Sequence, residues 1–170
     1  MLVNKRFFIL ILVLLASFEL KSQIADNGVG LRFDIPSGRS GPGVELSYQT
    51  GVSDIVRIEL GLGYQTSKET TEFLSFSAVA QRVWCSYFGL NGYLGLGFQV
   101  GYYSYLYDGE NKMEGLGGGV NIQLGCEYDF RTYFDFPLLL SFDARPLRSL
   151  NPMGPIGMGP NIAVRYIWDY

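Results

Sequence analysis

Arginine and carboxylate side chains are the groups in this sequence that could do chemistry, because they recur at alternate positions of otherwise apolar segments. The charged residues on the polar side of these alternations are Arg32, Asp34, Glu45, Arg57, Glu59, Glu127, Asp143, Arg145, Arg165 and Asp169. Paired carboxylates can act as general acid and base. Carboxylates interleaved with arginines are more typical of structural ion pairs, because a buried charge must be paired. We therefore predict a network of ion pairs and no catalytic residues.

Composition excludes several other kinds of site. The chain contains no histidine, which rules out Ser-His-Asp and Cys-His triads and His-based metal sites. The glycine run at 115–119 precedes a strand pattern, whereas a phosphate-binding loop opens a helix. The net charge of −3 lacks the basic character of a nucleic-acid-binding surface. We expect no enzyme, no cofactor, no metal and no nucleic-acid partner, and no small-molecule substrate is identified.

The two cysteines, Cys85 and Cys126, are far apart in the sequence and lack the spacing of a metal site. They could form a disulfide only if their Cβ atoms lay within about 4.5 Å of each other. The sequence leaves this pairing open.

The charged positions are held by segments with a period of two residues, which is typical of β-strands. These segments are 29–35, 43–50, 56–66, 72–84, 90–105, 115–128, 138–145 and 161–170. Turn-forming residues separate them, and the absence of helix-length connections excludes parallel pairing. The pattern predicts an all-β fold, an eight-stranded antiparallel up-and-down barrel. Segment 72–84 permits two registers, and a β-bulge there is an open alternative.

The N-terminal segment differs from the rest of the chain. Lys5 and Arg6 precede an apolar run at 7–18, which is shorter than the roughly 20 residues needed to span a bilayer as a helix. This layout predicts a helical signal peptide at 1–23, cleaved on export, before a barrel domain at 24–170. An uncleaved N-terminal anchor is the alternative.

Three features indicate which face of the barrel lies inside. Small polar residues suit the narrow interior of an eight-stranded barrel, and after Lys21 the chain has only Lys68 and Lys112 for a soluble outer surface. Aromatic residues cluster near segment ends, as in the two interfacial belts of a membrane barrel. We predict a transmembrane barrel with its charged network in the lumen. The alternative is a soluble periplasmic or secreted barrel that binds an apolar ligand inside.

If both termini are periplasmic, counting along the strands sorts the lumen charges by height. The upper layer would contain Arg32, Asp34, Glu45, Asp143 and Arg145. The lower layer would contain Arg57, Glu59, Glu127 and Asp169, with Arg165 between the two. Mixed signs in both layers predict a plugged lumen and no large pore, and a narrow water-filled passage is the alternative.

The stretch "LGCEYDF…FPLLLSFDARP" and the closing "NIAVRYIWDY" resemble the last hairpin of small eight-stranded outer-membrane barrels of Gram-negative bacteria, the OmpA/OmpX-like group. The resemblance implies an outer-membrane location, contact with outer-membrane lipid, and a final strand that the barrel-assembly machinery reads as an insertion signal. The matching positions are Val164, Tyr166, Trp168 and Tyr170, although Tyr stands where Phe is usual. The implied role is structural or a loop-mediated interaction with the envelope or other cells. An accessory subunit of a secretion or transport machine is an alternative.

Overall fold

The computed structural model describes residues 27–36, 40–67, 72–85, 88–107, 111–149 and 159–168. The predicted signal peptide, Asp169 and Tyr170 lie outside these residues, and the predicted domain boundary at residue 23 stays a prediction. The described elements, in chain order, are β1 (Asn27–Asp34), β2 (Ser40–Ser53), β3 (Val56–Ser67), β4 (Glu72–Cys85), β5 (Leu90–Tyr107), β6 (Asn111–Asp129), α1 (Arg131–Phe134), β7 (Leu138–Ala144), β8 (Leu147–Ser149) and β9 (Pro160–Trp168).

The strands form a closed antiparallel barrel. Each strand from β1 to β6 pairs with the next, β6 pairs with β7, β7 with β9, and β9 with β1. Segment β8 also pairs with β6 and continues β7 beyond Arg145 and Pro146. Since proline cannot donate to the ladder, β7 and β8 count as one interrupted barrel strand. The predicted eight-stranded antiparallel barrel is confirmed.

The fourth strand has a regular register. Strand β4 pairs with β3 and with β5 without a shift over its described length. Val79 and Gln81 therefore face the lumen, and Arg82 faces outward, with its guanidinium 5.7 Å from the Trp84 ring centre. Gly95 leaves room for Val79, because a Cβ at that glycine would lie 2.7 Å from the valine side chain. Register shifts occur instead in the pairing of β2 with β3, at the two ends of β2.

The barrel is apolar outside and polar inside. Arg32, Arg57 and Arg165 are each at most 1% exposed, whereas Leu74 and Leu116 on the outer wall are 62% and 80% exposed. This arrangement confirms the predicted orientation of the two faces. The lumen also contains apolar side chains that the alternation did not single out: Phe73, Val79, Val83, Leu139 and Ile167.

The barrel ends differ in their connections. We call the end that contains Asn27 and Trp168 the terminal end, since these residues pair where β1 starts and β9 stops. The four-residue helix α1 lies at this end, between β6 and β7. Among the residues that the structure describes, no helix has the length and apolarity needed to cross a membrane. At the opposite, far end the β5–β6 hairpin continues to Tyr107 and Asn111, so most of the connection between the segments predicted at 90–105 and 115–128 is strand.

Candidate functional site

The largest group of buried charges is centred on Glu59 of β3. Its carboxylate forms ion pairs with Arg32, with Nη2 of Arg145 at 2.9 Å and with Nη2 of Arg165 at 3.1 Å. These arginines come from β1, from the β7–β8 connection and from β9. One carboxylate therefore ties together strands that lie on different sides of the barrel.

Two further carboxylates complete this group, which we call the lumen cluster: Arg32, Glu45, Glu59, Asp143, Arg145 and Arg165. Nη1 of Arg32 lies 2.6 Å from Glu45, and its Nη2 lies 3.3 Å from Asp143. Arg145 also reaches Glu45, at 3.3 Å. Three arginines thus face three carboxylates, so the cluster is charge-balanced, as buried ions require.

A second ion pair lies beside the lumen cluster. Arg57 donates from Nη1 and Nη2 to the two oxygens of Glu127, at 2.9 and 2.5 Å, in the bidentate geometry typical of arginine. Its Nε donates to the Gln81 side-chain oxygen at 2.5 Å. The Gln81 amide in turn donates to Glu59 and to Gln123, both at 2.8 Å. Gln81 therefore connects the two groups of charges.

The observed pairing differs from the predicted two layers. Glu59 was expected beside Arg57 in the lower layer, but it forms ion pairs with Arg32 and Arg145, which were expected in the upper layer. The strand register explains the difference. One row of paired residues begins with Gly28 at the terminal end and reaches Leu147 near the far end. Because the strands are staggered in this way, counting along each strand does not give the height in the lumen.

Neutral side chains complete the hydrogen bonding of the buried charges. The Tyr93 hydroxyl donates to Asp143 at 2.7 Å. Arg165 donates from Nε to Ser47 at 2.9 Å and from Nη1 to Ser141 at 2.7 Å. In the sequence, the sign that Tyr93, Ser47 and Ser141 would contact these charges was their position on the inward side of the alternation. Their partners depend on the closure of the barrel, which the sequence does not specify.

Three predicted positions lie apart from this arrangement. Asp34 is partly exposed at the end of β1 and forms no ion pair with another described residue. Asp169 and Tyr170 fall outside the described part of the chain. The structure thus brings together eight of the predicted charges, in the lumen cluster and the Arg57–Glu127 pair.

The predicted C-terminal signal is described at three of its four positions. Val164 and Tyr166 face outward and are exposed, and Trp168 is partly exposed next to them. The rings of Tyr166 and Trp168 lie 5.9 Å apart. The stripe therefore lies on the outer wall at the terminal end, where β9 closes the barrel against β1.

The arrangement limits what the lumen can do chemically. The carboxylates of the lumen cluster are occupied by arginines, and the described ranges contain no group of three or more His, Cys, Asp or Glu that could hold a metal ion. Glycine makes room for the cluster at Gly61, where a Cβ would clash with the Glu45 carboxylate. Charged and polar side chains thus fill the middle of the barrel.

Comparison with known proteins places the fold. No family model and no curated protein sequence matches the chain. The N-terminal β-barrel domain of Pseudomonas aeruginosa OprF has a similar structure, with a TM-score of 0.64 and 14% identity over 84% of this chain and 97% of that domain. Neisserial surface protein A (NspA) has a TM-score of 0.60 and 13% identity over 84% of this chain and 94% of its own. The shared property is the fold. At this identity the similarity extends no further.

Proposed function

We propose that this chain is an integral outer-membrane β-barrel protein without enzymatic activity. It would have a sealed lumen and a structural or loop-mediated role at the cell envelope or surface. The observation that carries the proposal is the reversed distribution of polarity. Arginines and carboxylates are buried inside the barrel, while leucine, valine and phenylalanine side chains cover the outside of the described strands.

Such an outer surface suits lipid and is costly in water. Soluble monomers rarely expose contiguous apolar patches larger than a few hundred Å². Here outward-facing apolar side chains continue from strand to strand around the described wall. A closed barrel also satisfies every backbone hydrogen bond within the wall, which is the condition for strands in hydrocarbon. The fold shared with the OprF and NspA structures supports the same environment.

The soluble alternative requires the opposite arrangement. A barrel that carries an apolar ligand places its apolar face inward. In this barrel Arg165 and Glu59, both at most 1% exposed, occupy the space where such a ligand would bind. The geometry therefore favours the membrane protein over the ligand carrier.

The filled lumen supports a role without a large pore. The lumen cluster spans the barrel from Glu45 on β2 to Asp143 on β7 through direct ion pairs. Steady conductance of the folded monomer in a planar bilayer would contradict the sealed lumen, and we expect none. The role would then be carried by the connections at the barrel ends and by the barrel as a membrane component.

Insertion would depend on the C-terminal stripe. We propose that a signal peptide directs export and is then cleaved. The barrel-assembly machinery would afterwards recognise Val164, Tyr166, Trp168 and Tyr170. The outward positions of the described stripe residues, beside the closing strand pair, support this role. Outer-membrane lipid is the other expected partner.

Cys126 provides a direct test of membrane burial. This free thiol is exposed on the outer wall, in the part of β6 that pairs with β7. In a Cys85→Ser variant folded into vesicles, neither a charged nor a lipid-soluble maleimide should label Cys126 rapidly, because the reactive thiolate is disfavoured in hydrocarbon. In urea both reagents should react. Rapid labelling of the folded protein in vesicles by the charged reagent would refute the membrane location.

A further inference from the structure

The outer wall carries a groove in its far half. It has a volume of about 1000 Å³, which lies at the upper end of the range of small-molecule sites. Its lining is apolar and comes from β3 to β6; the side chains that shape it include Leu74, Phe76, Phe98, Val100, Leu116 and Val120. All these strands have their far ends beside the groove, since β3 and β5 end there and β4 and β6 begin there.

Glycine residues of β6 create the groove. Gly118 faces outward opposite Val100, between Leu116 and Val120, so the wall lacks one side chain at this point. Adding a Cβ at Gly118 would bring it within 2.9 Å of a backbone oxygen of β5. Gly118, within the glycine run at 115–119 that did not fit a phosphate loop, is therefore explained by a depression in the outer surface.

A cation lies at the edge of the groove. Arg148 pairs with Val120 across β8 and β6 and is exposed. Side chains directly opposite each other in an antiparallel pair are within contact distance. Arg148 has no hydrogen bond or ion pair with another described residue. The other outward arginine of the described strands, Arg82, lies over the Trp84 ring on the half of β4 near the terminal end.

The strand stagger places Arg148 in the far half of the barrel. In each row of directly paired residues, the positions lie progressively closer to the far end from β1 to β8. Arg148 therefore lies farther from the terminal end than Val120, its partner in the row. Glu114, hydrogen-bonded by Tyr102, lies beyond the groove on β6 and marks the polar region. A cation at this level, beside an apolar groove, matches the chemistry of a lipid with a phosphate head group.

We propose that this groove binds one lipid with a phosphate-bearing head group, with an acyl chain along Val100 and Gly118 and the phosphate at Arg148. This inference rests on the proposed membrane location. A second copy of the chain fits the groove less well, because a symmetric contact would bring two Arg148 side chains into the same apolar interface, where each would lack a counter-ion.

Native mass spectrometry of the folded protein in detergent micelles can test the site with phosphatidic acid as the probe. We expect one phosphatidic acid to remain bound, and diacylglycerol with the same chains to bind at least about tenfold more weakly, because it lacks the charge-assisted hydrogen bonds. Arg148→Gln should weaken phosphatidic acid binding by a similar factor, and Arg82→Gln should leave it unchanged. Val100→Trp should fill the groove and abolish binding, whereas Val29→Trp on β1, on the opposite wall, should not.

Four outcomes would overturn the proposal: equal binding of diacylglycerol, equal loss in the two arginine variants, equal effects of the two tryptophan variants, or a dimer that forms in place of the lipid adduct. The labelling of Cys126 separates this result from the membrane proposal. A buried thiol with no specific adduct would refute the lipid site alone. A thiol open to the charged reagent would refute the membrane location itself.

Discussion

Replacing Glu59 by Gln should destabilise the barrel more than any comparable change on its outer wall. Glu59 is 1% exposed and forms ion pairs with three arginines. The substitution keeps the volume of the side chain but leaves three cations facing the two carboxylates of Glu45 and Asp143. Breaking a buried ion pair by removing one partner costs about 3–5 kcal/mol. We expect a loss near the lower limit of about 3 kcal/mol, because the new amide can still accept a hydrogen bond.

The measurement is urea unfolding of the protein in lipid vesicles, followed by tryptophan fluorescence and by the heat-modifiable band on gels. The free energy of unfolding comes from linear extrapolation to zero urea. Glu114→Gln is the matched control, because Glu114 is an exposed carboxylate on the outer wall. Exposed charges of this kind contribute about 0–1 kcal/mol, so we expect a small change in the control.

A compensating change tests the mechanism. Among the described residues, Glu59 is the carboxylate that pairs with Arg165, so Arg165→Gln added to Glu59→Gln restores equal numbers of charges in the lumen cluster. The double variant should lose less than the sum of the single losses, with a coupling energy of about 0.5–3 kcal/mol. If Glu59→Gln changed stability by less than about 1 kcal/mol, and the coupling were absent, solvent would be screening these charges and the sealed lumen would be wrong.

Two further substitutions test other parts of the argument. Gly61→Ala should lower the free energy of unfolding by about 1–3 kcal/mol through overpacking against Glu45. Gly63→Ala should cost less, because its Cβ would lie 3.2 Å from its nearest neighbour, the Ser75 hydroxyl. Equal effects in the same urea titration would contradict the packing argument. Trp168→Ser should reduce the fraction of protein assembled in the outer membrane of cells much more than Tyr64→Ser does. Tyr64 is a suitable control, because it is an outward aromatic at the far end. Equal reductions would show that the C-terminal stripe has no special role in assembly.

The predictions that succeeded depend on periodicity, which is local. Alternation places Arg165 inside and Val164 outside whatever the strand's neighbours are. The register of the fourth strand was ambiguous, because the observed register places the charged side chain of Arg82 on the outer wall. The structure explains this register: Arg82 lies over the Trp84 ring, and glycines of β5 leave room for the inward side chains of β4.

The network inside the lumen could not be derived in the same way. The contact between Glu59 and Arg165 joins positions 106 residues apart and depends on how far each strand is displaced relative to the next. Displacements of one or two residues at each hairpin accumulate around the barrel. The sequence therefore predicts which charges face inward, while their pairing requires the closed structure.

We propose that the ion pairs in the lumen serve specificity as well as stability. A buried ion pair is often no more stabilising than well-packed apolar side chains, so stability alone does not explain them. In a barrel whose outer wall is apolar, an apolar lumen would make the two faces of each strand alike. A one-residue slip exchanges the faces, which here would place Arg165 on the apolar outer wall and Val164 in the lumen. The doubly substituted Glu59→Gln, Arg165→Gln protein separates these roles. Its loss of stability should be smaller than the sum of the single losses, while a mixture of folded bands on gels would show that the lost charges had fixed the register.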